Sequence, residues 1–128
     1  MSPLGISGLQ HAQYANLALI AACEAGGALG RAVRYAALEA QRYAAAITHV
    51  DTGTLKASHR IASESGGLRA VVYVDPSARN PRTGERPSIY GEYEEFRGGS
   101  HAFYRRTVDE RGYAIARAAA DGFVRELP

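Results

Sequence analysis

The side chains able to carry acid–base, metal or nucleophilic chemistry are few and dispersed. Histidine occurs at positions 11, 49, 59 and 101, and Cys23 is the single cysteine. No two histidines stand four residues apart, as two ligands on one helix face would, and one thiol cannot complete a zinc set. The spacing therefore predicts no metal site and no intrachain disulfide. His49 lies two residues before Asp51, which gives a base and an orienting acid, but no serine or cysteine sits in a strand–turn–helix elbow to act with them. Glu92, Glu94 and Glu95 form the densest acidic group, and paired carboxylates do general acid–base work when burial splits their pKa values. Read as a strand, this segment puts Glu92 and Glu94 on one face and Tyr93 with Glu95 on the other. A solvated face or a contact between subunits follows from that placement. The Gly26–Gly30 stretch follows a helical segment and lacks the Lys-Ser/Thr ending of a phosphate loop. The expectation is a protein that is not an enzyme, with no catalytic residue, no metal and no cofactor.

The elements that must position these residues belong to one domain, because 128 residues support a single core and not two. Hydrophobic residues at 46% and charged residues at 22% exclude a disordered chain. A net charge of +2 is too small to indicate nucleic acid by itself. The N-terminus has no basic segment leading into an apolar run, and Leu17 to Cys23 falls well short of the roughly 20 residues of a membrane span. A soluble protein without a membrane partner is expected.

Residues 1–8, with Pro3, Gly5 and Gly8, form a lead-in. A helical pattern of moderate amphipathicity runs from Leu9 to Ala25, and Gly26 with Gly27 interrupts it. The strongest pattern is Ala28 to His49, where Leu29, Val33, Ala36, Ala37, Ala40, Ala44 and Ile47 make one stripe at three- and four-residue steps. Its alanines allow close approach by the last helix or by a neighbouring subunit. Asp51, Thr52 and Gly53 then make a junction: an aspartate oxygen can accept from nearby backbone N–H groups, Gly53 permits the bend, and Leu55 returns to the core. His59 to Ser63 begins a strand, 64–67 makes a hairpin turn, and Leu68 to Val74 is β-branched and aromatic. Asp75 to Ser88 reads as an extended Arg/Pro-rich loop carrying Arg79, Arg82 and Arg86, long enough to be functional. Ile89 to Arg97 reads as a return strand, with Tyr90 opposite Tyr73 or a neighbour. Ala102 to Leu127 is a helix with Tyr104, Val108, Ile115, Ala119 and Phe123 on its apolar face. The fold class is α+β: long N-terminal helices, a small antiparallel sheet with a long hairpin loop, and a C-terminal helix packed on the sheet. Eight tyrosines against three phenylalanines, clustered with arginine near the loop, suit an interface and, second, single-stranded nucleic acid.

Three stretches in order carry a family resemblance. They are Val50 to Ser58, the Tyr-x-x-Tyr-x-Glu-Phe segment Tyr90, Tyr93, Glu95 and Phe96, and the aromatic lead-in His101 to Val108. Together they resemble the tail-component family of long-tailed bacteriophages, which includes proteins similar to the lambda minor tail protein Z that complete the tail or join it to the head. Members commonly have glycine directly after the Glu-Phe pair, where this chain has Arg97, and proline where it has Arg106. The resemblance implies a virion structural protein of the neck or tail end, made in the host cytoplasm. It implies a homo-oligomeric ring, hexameric or dodecameric, that contacts other connector and tail proteins and lets DNA through its lumen without sequence-specific binding. On this reading Asp51, Thr52, Gly53, Leu55, Tyr90, Tyr93, Glu95 and Phe96 are the family-motif positions. Arg79, Arg82, Arg86, Tyr73 and Tyr90 are the candidate contacts between subunits, with the 75–88 loop as an arm and Tyr90 and Tyr93 at its base. A tail terminator, a head-side adaptor, or a nucleic-acid module using Arg79, Arg82, Arg86, Arg105 and Arg106 are the alternatives.

Overall fold

A computed structural model describes residues 6–24, 26–49 and 53–128. The junction positions Asp51 and Thr52, and residues 1–5 of the lead-in, lie outside the described residues. Helix α1 (Ile6–Ala22) already begins inside the stretch read as lead-in. Helix α2 (Ala28–Ile47) follows after a tight turn. That turn depends on Gly27, since a Cβ there would lie 2.1 Å from the Ala21 carbonyl oxygen. Ala28, Gly30, Ala37 and Ala44 are buried along α2, so the small-residue stripe is the surface on which the rest of the chain packs.

Strands β1 (His59–Glu64) and β2 (Arg69–Val74) follow the short helix α3 (Thr54–Ala57) and pair antiparallel, from His59 opposite Val74 to Glu64 opposite Arg69. The hairpin closes through a 3₁₀ turn at Ser65–Gly67, where Gly66 and Gly67 take positive φ angles of 66° and 97° that other residues rarely adopt. The two strands and the turn between them match the sequence expectation.

The return strand is not there. Residues Pro87–Arg97 form helix α4. Pro87 opens it at a position where a fixed φ fits and no N–H is needed. Pro87 and Gly91 face inward four residues apart, which is a helical interval, and Ile, Tyr and Phe are tolerated on the outer face. Tyr90 and Tyr93 consequently do not pair with Tyr73 across a hairpin. Residues 75–86 connect strand to helix and are not a hairpin loop.

The chain ends in helix α5 (Tyr104–Thr107), a π-helical turn (Val108–Gly112) and helix α6 (Tyr113–Arg125). Helix α6 packs along α2, and the hairpin also contacts α2, so the last helix lies on α2 rather than on the sheet. Arg31 fastens the far end by donating from Nε and Nη2 to Glu126 Oε2 at 3.0 and 2.7 Å. Val108 is 68% exposed, against the expected apolar face, and Thr107 is buried in its place. In the π turn, Glu110 accepts from Tyr43 at 2.8 Å and from Arg106, which ties the turn to α2. The phenol O–H holds the Glu110 carboxyl below its usual range, and the carboxylate raises the Tyr43 phenol in return. The architecture remains α+β, with α2 at the centre.

Candidate functional site

The segment 53–58, helix α4 and the aromatic lead-in at 101–108 meet in space. Leu55 of α3 is buried and faces α4 at its closest point: a Cβ on Gly91 would fall 2.8 Å from Leu55 Cδ1 and 3.6 Å from Phe103 Cζ. Phe103 is 2% exposed and is the largest fully buried side chain among the described residues. Glu95 secures this contact from α4. Its carboxylate accepts from the backbone N–H groups of Phe103 (2.7 Å), Tyr104 (3.1 Å) and Arg105 (2.7 Å). Those are N–H groups that the start of a helix leaves without intrahelical partners, and a negative charge there also opposes the positive end of the helix dipole. Glu95 is therefore a cap. Sequence reasoning placed it on a strand and so missed that role.

His59 sits beside Phe103, 3% exposed, and its hydrogen bonds have a defined direction. The Thr48 hydroxyl donates to the Ala44 carbonyl at 2.6 Å, so toward His59 Thr48 can only accept. His59 Nε2–H therefore donates to Thr48 Oγ1 at 2.9 Å, and Nδ1 accepts from the Tyr104 hydroxyl at 2.8 Å. Burial, aided by Arg60, lowers the His59 pKa to about 4, which keeps the neutral ring this chain of bonds needs. Burial also raises the Tyr104 phenol, with Glu95 adding to the effect. The chain joins α2, β1 and α5 inside the core. Its parts were visible in the sequence, but their meeting was not.

Two of the remaining histidines are not scattered as their sequence positions suggest. His101 Nδ1 lies 2.7 Å from Glu94 Oε2, and His49 Nδ1 lies 4.0 Å from the same oxygen. The two imidazoles stand 4.4 Å apart, centroid to centroid, at 58°. This group could hold a metal ion, since one donor atom from each residue falls within 4.8 Å of the others. The expectation of no metal-ligand set considered spacing along the sequence only. Ligands were sought on one helix, and here they come from the end of α2, from α4 and from the 3₁₀ turn Gly99–His101. The three side chains border a cleft of about 420 Å³ that Leu55, Asn80, Tyr90 and Arg97 also line.

The residues proposed to contact other subunits are distributed differently from the expectation. The loop carrying Arg79, Arg82 and Arg86 is folded on itself and is not an extended arm. Asn80 is buried and organises it: its N–H donates to the Glu85 carbonyl (2.7 Å), and its side-chain oxygen accepts from Arg82 N–H (2.9 Å). Arg79 donates to the Gly84 carbonyl at 3.3 Å, and Arg86 stands at the start of α4. Tyr73 and Tyr93 are exposed, and Tyr90 faces the cleft. Phe96 is 87% exposed and forms, with Ile89 and Tyr93, an apolar outer face on α4. Gly53 precedes α3 with a positive φ of 82°, as its role in the bend requires. Helix α1 was not among the candidates. It contains no charged residue, and Leu9, Tyr14, Leu17, Leu19 and Ile20 are all exposed.

Comparison with protein-family models, with curated proteins and with solved structures finds no match for this chain. Among the described residues, no helix is long and apolar enough to cross a membrane.

Proposed function

We propose that this chain is a virion structural protein of a long-tailed bacteriophage, one that forms a homo-oligomeric ring at the head–tail junction or tail end. The observation that carries the reading is a pair of unlike exposed apolar surfaces on one chain. The first is α1, uncharged along its length and exposed at Leu9, Tyr14, Leu17 and Ile20. An apolar helix in water is stable when another surface covers it. The second is the α4 face of Ile89, Tyr93 and Phe96, beside an apolar groove of about 460 Å³ that also includes Val72, Tyr73 and Phe103. Two different surfaces meeting head to tail generate a heterologous interface, which closes into a ring when the rotation between copies allows it. The sequence resemblance supports the place in the virion. The ring is expected as a hexamer or a dodecamer, with DNA passing through and other connector and tail proteins above and below. The helix α1 takes the role first given to the 75–88 loop.

Light scattering on the purified protein over a range of concentrations tests this. The wild type is expected as a discrete oligomer. A Leu17→Asp/Ile20→Asp variant and a Tyr93→Asp/Phe96→Asp variant are each expected as monomers, since each lacks one half of the joint. Mixed in equal amounts they retain one intact joint and should stop at a dimer. A wild type that stays monomeric throughout, or an oligomer indifferent to both variants, overturns the reading. DNA affinity should be low, whereas tight binding that falls steeply with salt would favour the nucleic-acid module. The arginines offer that module little, with Arg106 engaged by Glu110 and Arg79 by a backbone carbonyl.

A further inference from the structure

His49, Glu94 and His101 converge where α2 ends, and neither the buried core nor the two exposed apolar surfaces call for them. We propose that these three side chains bind one divalent transition-metal ion of the zinc class, with a fourth position facing the cleft and taken by water. The site does not depend on the ring reading.

The donor set fits the ion. Two imidazoles and one carboxylate suit zinc and its neighbours, whereas calcium and magnesium call for a shell of oxygens. The spacing fits as well. Bonds of about 2.0–2.1 Å in a tetrahedral site put ligand atoms roughly 3.3 Å apart. Glu94 Oε2 is 2.7 Å from one histidine nitrogen and 4.0 Å from the other, so the first contact opens and the second closes by well under an ångström. The Arg97 guanidinium holds the other Glu94 oxygen, Oε1, at 3.4 Å, which orients the carboxylate and leaves Oε2 for the ion. Access is open at one side: the side chains of Glu94 and His101 are 23% and 30% exposed, and that of His49 is 49% exposed.

A plain hydrogen bond accounts for Glu94 with His101. It does not account for a second imidazole 4.4 Å from the first with its nitrogen turned to the same oxygen. A shared cation accounts for all three. The bound ion would join the exit of α2, helix α4 and the turn before α5, making a clasp across one side of the cleft.

The test is a calorimetric titration of the whole chain with zinc chloride at neutral pH in a buffer that does not chelate. One ion per chain is expected, together with a rise in Tm, and no comparable response to magnesium or calcium. Cobalt(II) should give the strong visible absorption of a four-coordinate site. His49→Ala and His101→Ala should each weaken zinc about tenfold or more, while His11→Ala on the exposed α1 should leave it unchanged. Circular dichroism checks that each variant folds. Should His101→Ala unfold, His49→Gln still decides, because that side chain is exposed. No binding at one equivalent, or wild-type affinity in the folded His49 variant, overturns the site. Repeating the titration on Leu17→Asp/Ile20→Asp protein separates this result from assembly.

Discussion

Over α1 the chain presents leucine, isoleucine and tyrosine to solvent, while around Phe103 it buries Leu55 and Ala102 and pairs the polar side chains of Thr48, His59 and Glu95. The junction joins α2, α3, β1, α4 and α5 through Leu55, His59, Glu95 and Phe103. Helix α1 has no comparable attachment: no element packs along its length among the described residues. The same residue types therefore serve two ends. In the junction, apolar area is spent on holding one chain together. On α1 it remains unspent, and covering about 100 Å² of it in a neighbour would be worth roughly 2.5 kcal/mol before the cost of association. The difference separates what folds the protein from what the ring reading uses to assemble it.

Substitutions at the two regions should split stability from assembly. Phe103→Ala is expected to lower unfolding free energy by about 3–5 kcal/mol in a denaturant titration, because it empties a fully buried site between α4 and β1. Ile20→Asp, at a 50% exposed position of α1, should change it by less than about 0.5 kcal/mol while lowering the mass seen by light scattering. If the two variants lose stability alike, α1 is part of the core and the contrast fails.

The next effect belongs to the junction alone. The folded pKa of His59, about 4, lies below the ordinary value of 6.5, so between those values the unfolded chain binds more protons than the folded one. The neutral ring's contribution is complete above pH 6.5 and is lost progressively as pH falls from 6.5 to about 4. A shift of this size corresponds to something on the order of 3 kcal/mol. Urea unfolding at pH 7 and pH 5 should show much of that loss in the wild type and a smaller loss in His59→Gln. A pH dependence identical in the two proteins would place the titrating group elsewhere.

Among the junction changes, Glu95→Gln should have the smallest effect. The amide can still accept through one oxygen, but it loses the charge and the second acceptor that now serve Phe103, Tyr104 and Arg105. A loss of about 1–3 kcal/mol is expected in the same titration, with assembly unchanged once the protein is folded. Loss of assembly without loss of stability would move Glu95 from cap to contact surface.

The sequence disclosed elements wherever one signal dominated. The alanine stripe of α2 has a clean helical period, and two glycines between β-branched runs define the hairpin. Helix α4 was hidden by its composition, since Ile89, Tyr90, Tyr93 and Phe96 are strand-formers by propensity. Yet Ile89, Tyr93 and Phe96 stand at i, i+4 and i+7, and Pro87 sits where a helix can begin, so the period carried the answer that propensity obscured. Leu55, Glu95 and Phe96 could be singled out in the sequence, but not their division of labour, with one buried, one capping and one exposed. The histidine–glutamate group was beyond reach because its members come from three elements separated by 45 and 7 residues, and only the fold brings them together.

The π turn at Val108–Gly112 has a consequence for the gene. Such a turn holds one residue more than the α-helical turn it replaces, and Thr107 before it and Ile115 after it both face inward. Removing one codon within the turn would restore a regular helix with its flanks still in phase, whereas drawing the same number of residues into a regular α-helix would rotate everything downstream by about 100° relative to the flank before it. In that second case Glu126 would leave Arg31, and Ile115 would leave the core. The stretch therefore tolerates the loss of one residue more readily than it tolerates straightening at full length, and Glu110, bonded to Tyr43, helps to hold the wide turn open.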